Sequence, residues 1–309
     1  MIYFLSLLAI ILAFFVGGLK ALFLVIILGI LEVSLSFDNA VVNASILKNM
    51  SQKWQKRFLT WGILIAVFGM RLIFPIAIVS FAGNINFLEV INIAINFPDE
   101  YKNNLVAAHN KIASFGGIFL LMVFLKFIFN IEKQVFWIFG EKYLSKINFW
   151  IGSFLTLIVV FAFLPLSIIS AILGIVTFVL IKKIADYFGK NSRSIEAIGF
   201  ASFMYLEVLD ASFSLDGVIG AFAISNDIFI IMLGLGIGAM FIRTLTIKLV
   251  QNKTLQNYIY LESGAFFGIG SLAIIMLLST KFHVSEIVTG LIGATFIIIS
   301  IIHSKCKKL

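Results

Sequence analysis

The sequence predicts an all-α polytopic membrane protein with about ten transmembrane helices in two inverted five-helix repeats. Three observations carry this expectation. First, 61% of the 309 residues are hydrophobic and only 12% are charged, with a mean hydropathy of +1.11. A soluble domain of this length could not bury so much apolar surface, so lipid must be the solvent for most of it. Second, the basic residues gather in alternate segments between apolar runs. Third, one acidic phrase occurs twice, 178 residues apart: Glu32-Val-Ser34-Leu-Ser36-Phe-Asp38 and Asp210-Ala-Ser212-Phe-Ser214-Leu-Asp216.

Apolar runs place the crossings near residues 2–18, 21–46, 58–83, 112–130, 148–164, 166–184, 196–225, 228–249, 258–280 and 284–302. Pro165 is the main break between 148 and 184; one long tilted helix there would reduce the crossings to nine. The run from Ile2 lacks a basic leader and a clean small-residue cleavage pattern, so it reads as a retained helix. The two repeats are expected over 1–164 and 165–309, within a single integrated membrane domain.

Charge orients the chain. Lys48, Lys53, Lys56 and Arg57 follow the second segment, and Lys133, Lys142 and Lys146 follow the fourth. Lys182, Lys183, Lys190 and Arg193 follow the sixth, Lys253 the eighth, and Lys305, Lys307 and Lys308 close the chain. Ten crossings put all of these on one side, which the positive-inside rule makes cytoplasmic, with both termini inside. The opposite loops are short or mixed, as in 84–111 with Asp99, Glu100 and Lys102. The net charge of +8 is therefore loop charge facing membrane lipids and cytoplasm, and no nucleic-acid partner is expected. Cys306 is the single cysteine, which excludes an intrachain disulfide and a Cys-rich metal site.

With ten crossings, the second segment runs inward and the seventh outward, so the halves have inverted topology. Secondary transporters built this way hold their substrate near the midplane at the repeat interface. Arg71 and Arg243 extend the pairing, and Gly116-Gly117 with Gly268 and Gly270 form a looser third match.

At 100° per residue, Glu32, Ser36, Asn39 and Asn43 share one helical face, while Asp38 aligns with Ser34 and Ser45. In the second copy Glu207, Asp210, Ser214 and Gly217 form one stripe, and Asp216 follows Ser212 on another. Convergence on one ligand would be easier if the helices unwound near Asp38-Asn39 and Asp216-Gly217, offering backbone carbonyls as ion ligands. Glu32, Asp38, Glu207, Asp210, Asp216 and Glu262 supply six potential negative charges against two from Arg71 and Arg243. Four acids then require protons or a cation, because unpaired buried charge is not tolerated. The arginines read equally as structural partners and as counter-charges that replace a departing cation.

Carboxylates, Ser hydroxyls and Asn amides are hard oxygen donors, which suit Mn²⁺, Ca²⁺ and Mg²⁺. The expected metal-binding residues are Glu32, Asp38, Asn39, Asn43, Asp210 and Asp216. Arg71, Arg243, Glu207 and Glu262 are expected as supporting charges or proton relays. His109, His283 and His303 sit at segment ends or in loops, and Asp99, Glu100, Asp186 and Asp227 read as solvated loop acids.

The run Leu31-Glu-Val-Ser-Leu-Ser-Phe-Asp-Asn-Ala-Val-Val-Asn43, with Gly69-Met-Arg71 and Phe74-Pro75, resembles the TerC-like integral membrane proteins. It is most similar to a branch whose function is unassigned. Leu206-Glu-Val-Leu-Asp-Ala-Ser-Phe-Ser-Leu-Asp-Gly-Val-Ile-Gly220 and Tyr260-Leu-Glu262 fit the same pattern, so the resemblance covers most of the chain. It implies tellurite resistance or metal export, manganese in particular, with Glu32, Asp38, Asp210 and Asp216 as ligands. The sequence thus leads to a non-enzymatic secondary transporter of the bacterial inner membrane, exporting a divalent cation and needing no resident cofactor. Two rivals remain open: a proton-coupled exporter of a small organic solute, and a membrane-embedded aspartyl-type enzyme using Asp38 and Asp216. A third, a stress-response scaffold, would not need the acids. Oligomeric state is not legible.

Overall fold

The computed structural model describes residues 2–191, 195–282, 284 and 286–307. Arg193 and His283, and the side chains of Asp186, Lys190 and Asp216, lie outside the described residues. Everything regular among the described residues is helical. Six described helical stretches are long and apolar enough to cross a bilayer: Phe4–Leu35, Gln52–Phe81, His109–Ile128, Ile228–Gln251, Leu261–Ser279 and Val288–Cys306. The chain is a multi-pass helical membrane protein.

Helix α1 (Ile2–Leu35) is broken internally at Gly17-Gly18. Gly18 has φ 64° and ψ −155°, a conformation that costs glycine little and other residues much. The expected boundary between the first two apolar segments falls on this break. Helix α2 (Phe37–Leu47) follows after Ser36, whose φ of −106° and ψ of 17° kink the chain. The backbone ladder nevertheless continues across the kink, with Ser36 N donating to Glu32 O at 3.0 Å and Ala40 N to Ser36 O at 3.3 Å.

The next helical stretch changes type twice. Helix α3 (Gln52–Leu64) runs into a π-helical segment, Ile65–Ile73, and then into α4 (Phe74–Gly83). Pro75 lacks the N–H that would close on the carbonyl of Arg71, and the wider turn before it accommodates that loss. Asn84, left-handed at φ 54°, ends the stretch.

Residues 84–111, expected as a loop, instead contain α5 (Phe87–Asn96) and α6 (Pro98–Ala107). Asn86 caps the first by accepting from Leu88 N, and Pro98 opens the second where its missing N–H costs nothing. Asp99 is not simply solvated: Asn226 Nδ2 donates to it at 2.7 Å, and Lys102 reaches the same asparagine at 3.2 Å.

Helix α7 (His109–Ile128) is largely enclosed, and a short α8 (Glu141–Leu144) lies in the following loop. Here Glu141 is buried, accepting from Lys133 Nζ at 2.8 Å and Trp137 N at 2.6 Å. Burial pulls the Lys133 ammonium below its ordinary pKa, opposed by the attraction of Glu141. Helices α9 (Phe149–Phe163) and α10 (Ile168–Asn191) are separate, and the chain between them carries Pro165.

The second half contains α11 (Ile195–Ile224), α12 (Ile228–Gln251), α13 (Thr254–Asn257), α14 (Leu261–Ser279) and α15 (Glu286–Cys306). Asp227, expected as a solvated acid, caps α12 by accepting from Phe229 N at 2.8 Å and Ile230 N at 3.3 Å. Helix α12 packs along α1, and α14 packs between α7 and α15. Small residues make these approaches possible: a Cβ on Gly234 would stand 2.5 Å from Leu28 Cβ, and one on Gly116 would stand 2.9 Å from Met276 Cε. Gly234→Val should therefore destabilise the protein by about 1–3 kcal/mol. Thermal unfolding in detergent checks this, and an unchanged midpoint would contradict the α1–α12 contact.

Candidate functional site

The kink at Ser36 places the first acidic phrase on two connected elements. Glu32 ends α1, buried at 3% exposure, and Asp38 opens α2, buried at 6%. Glu32 Oε1 accepts from Arg71 Nη2 at 2.5 Å and from the Ser36 hydroxyl at 3.2 Å. The π-helical turn allows Arg71 Nη1 also to donate to the Ala66 carbonyl at 2.7 Å. Glycines make room for the carboxylate: Cβ atoms on Gly238 and Gly217 would lie 2.4 Å from Glu32 Cβ and 3.0 Å from its Oε2.

The second phrase has a parallel arrangement. Arg243 donates through Nη1 and Nη2 to the two Glu207 oxygens, each at 2.9 Å, and through Nη2 to Asp210 Oδ2 at 2.8 Å. Its guanidinium lies 4.4 Å from the Phe58 ring centroid and against Gly62, where a Cβ would meet Nη1. In both halves, the arginine thus binds the first carboxylate of the acidic phrase. Such desolvated pairs are costly to break, because the abandoned partner remains buried.

Asp38 differs. Its Oδ1 accepts from Asn39 N at 2.9 Å, and no basic side chain among the described residues forms an ion pair with it. Cβ atoms on Gly293 of α15 and Gly268 of α14 would approach its Oδ2 to 2.9 and 3.2 Å. The carboxylate borders a cavity of about 30 Å³, lined by Glu32, Ser36, Phe213, Gly217, Leu272 and Thr289 among others. That is room for a water or a small ion. On the following turns of α2, Asn39 Oδ1 and both amide atoms of Asn43 are buried with no hydrogen-bond partner, as is Ser214 Oγ on α11. Buried polar groups of this kind normally find partners, so these three side chains require an explanation, although none of them lines the cavity itself.

Glu262 lies elsewhere. It sits at the surface, in the first turn of α14, and pairs with Lys48 at 2.9 Å. Glu262 is therefore not one of the acids of the spanning core, and the Asp216 side chain lies outside the described residues. Among the described residues, Glu32, Asp38, Glu207 and Asp210 face Arg71 and Arg243, leaving two negative charges if all are ionised. No group of three His, Cys, Asp or Glu side chains among the described residues is arranged to hold a metal ion.

Two local expectations are corrected. Near Asp38-Asn39 the first helix kinks at Ser36 with its backbone ladder continuing, and the serine hydroxyl bonds the Glu32 carboxylate. The second does not break: α11 is continuous through 216–217, and Gly217 serves instead to let the Glu32 carboxylate approach. Sequence reasoning also missed Gly62, Gly238, Gly268 and Gly293 as spacers for charged groups. Their positions opposite the acids depend on helix pairing, which no local pattern encodes.

This is the polar core of a polytopic helical membrane protein. Over residues 37–308 the chain matches the family described as "Protein of unknown function (DUF475)", and it belongs to that family. It is also similar to the "Uncharacterized membrane protein YceF" of Bacillus subtilis (strain 168), 30% identical over 124 residues. That match covers 38% of this chain and 47% of the relative, so it spans about half of the relative's length. No solved structure matches.

The two kinds of acid should respond oppositely to neutralisation. Glu32→Gln strips Arg71 of its charged partner and should cost about 3 kcal/mol, whereas Asp38→Asn replaces a carboxyl group that no basic side chain pairs with and should cost under about 1 kcal/mol or stabilise. Unfolding midpoints at neutral pH compare them. Equal losses would contradict the assignment of Glu32 as paired and Asp38 as unpaired.

Proposed function

We propose that this protein is a secondary transporter, not an enzyme, and that its cargo is a divalent cation, manganese being the first candidate. The observation that carries this reading is Asp38, a buried carboxylate with no ion pair among the described residues, on the edge of a small cavity. A cation entering that cavity, or a proton, would neutralise it. Asp38, Asn39, Asn43 and Ser214 supply hard oxygen donors, three of them buried without partners, which supports an oxygen-ligated cation over a soft one. Glu32 and Asp210 would join only by leaving Arg71 and Arg243, so the arginines act as internal substitutes for the cargo. Asp216 would complete the set from the second phrase.

The inverted repeat belongs to this proposal. Three features support it: Arg71 binds Glu32 as Arg243 binds Asp210, Gly62 lies against Glu207 as Gly234 lies against Leu28, and the two Gly-rich stretches lie on helices packed together. The break at Gly18 supports two crossings within 2–47, hence ten in all, with both termini on the cytoplasmic side of a bacterial inner membrane. The halves would rock about the charged core to give alternating access, with protons returning on Asp38. The resemblance to TerC-like exporters points to the same cargo and to outward transport.

A second reading has its own observation. An apolar groove of about 590 Å³, lined by Leu31, Phe37, Leu291 and Ile298 among others, shares Leu35 and Gly290 with the acidic cavity. A proton-coupled exporter of an apolar organic solute would use such a side entrance.

Cellular content of manganese, magnesium, calcium, zinc and iron separates the two readings. Expression of the wild type should deplete one divalent metal, and Asp38→Asn at matched levels should abolish the depletion. Unchanged content with well-inserted protein would contradict metal export. Metal-independent efflux of an organic solute, lost in Asp38→Asn, would then favour the second reading.

A further inference from the structure

A second cavity, sharing no lining residue with the acidic one, lies where α7 stops and α9 begins. It has a volume of about 600 Å³ and is lined by Lys126, Lys146 and Lys182 and by one acid, Glu132. The lysines come from three separate elements: the last turn of α7, the loop before α9, and α10. Lys182 Nζ stands 4.3 Å from the Phe149 ring centroid and 4.8 Å from that of Trp150, and Lys126 stands 5.5 Å from that of Tyr205. The two ring contacts of Lys182 position its ammonium without neutralising it, unlike a carboxylate. Asn148 caps α9 by accepting from Trp150 N, so the amino end of a 15-residue helix also faces this region.

We propose that this cavity binds the phosphate-bearing headgroup of an anionic phospholipid. A lining of three lysines and one acid, with a helix amino end, favours a phosphate-type anion. The surroundings select the lipid source over a free anion. Trp150 is half-exposed at the head of α9, and Ile151, Phe154, Leu155 and Ile158 continue an exposed apolar surface along the same helix. A headgroup held by the lysines would therefore lay its acyl chains along α9, at the interface where aromatic and basic residues anchor membrane proteins. The site is independent of the transport reading.

The test uses the full-length protein in nanodiscs of phosphatidylcholine with or without phosphatidylglycerol. Phosphatidylglycerol should raise the unfolding midpoint and be retained on native mass spectrometry. Lys126→Gln/Lys146→Gln/Lys182→Gln should weaken that retention by about tenfold or more. Lys56→Gln/Lys253→Gln/Lys305→Gln, which removes the same charge elsewhere, should retain the lipid as the wild type does. Equal retention by both triple variants would overturn the site, as would equal loss in both. An equal midpoint rise with inorganic phosphate alone in phosphatidylcholine discs would overturn the lipid assignment in favour of a soluble anion.

Discussion

Charge buried where water cannot reach it must be balanced within the protein or by what the protein carries. In this chain two arginines meet the balance only in part. Arg71 holds Glu32, and Arg243 holds Glu207 and Asp210 together. Asp38, on the far side of a one-residue kink from Glu32, has no such partner among the described residues. The remaining polar architecture is organised around that difference. The paired acids fix helices that are distant in sequence, while the unpaired one faces a cavity with room for a small ion.

Glycine and backbone irregularity make the arrangement sterically possible. Gly238 and Gly217 admit Glu32, Gly62 admits Arg243, and Gly268 with Gly293 admit Asp38. The π-helical turn supplies Arg71 with a carbonyl acceptor as well as a carboxylate. Each replacement of hydrogen by a side chain would push directly against a charged group, so helix packing and electrostatics cannot be varied separately here.

Much of this was legible in the sequence, and the limits have physical reasons. Bulk hydropathy marked the chain as membrane-embedded, and the duplicated phrase singled out Glu32, Asp38, Asp210, Ser212 and Ser214, which are buried. Pro165 marked a genuine break between helices. The number of free acids was overestimated because Glu262 is in an apolar run by sequence yet sits at the surface beside Lys48. The partner of each arginine is set by tertiary packing, and neither the kink at Ser36 nor the continuity of α11 follows from residue type alone. Residues 84–107 read as a loop because their apolar runs are too short to cross a bilayer, although long enough to form helices.

The account rests on Asp38 changing its neutralising partner, a proton in one state and the cargo cation in another. Infrared difference spectroscopy of the purified protein on adding Mn²⁺ tests this most directly. The account predicts loss of a protonated carboxylic-acid band and gain of carboxylate absorption in the wild type, with both changes absent in Asp38→Asn. Manganese binding with no carboxyl signal, or the same signal in Asp38→Asn, would contradict it.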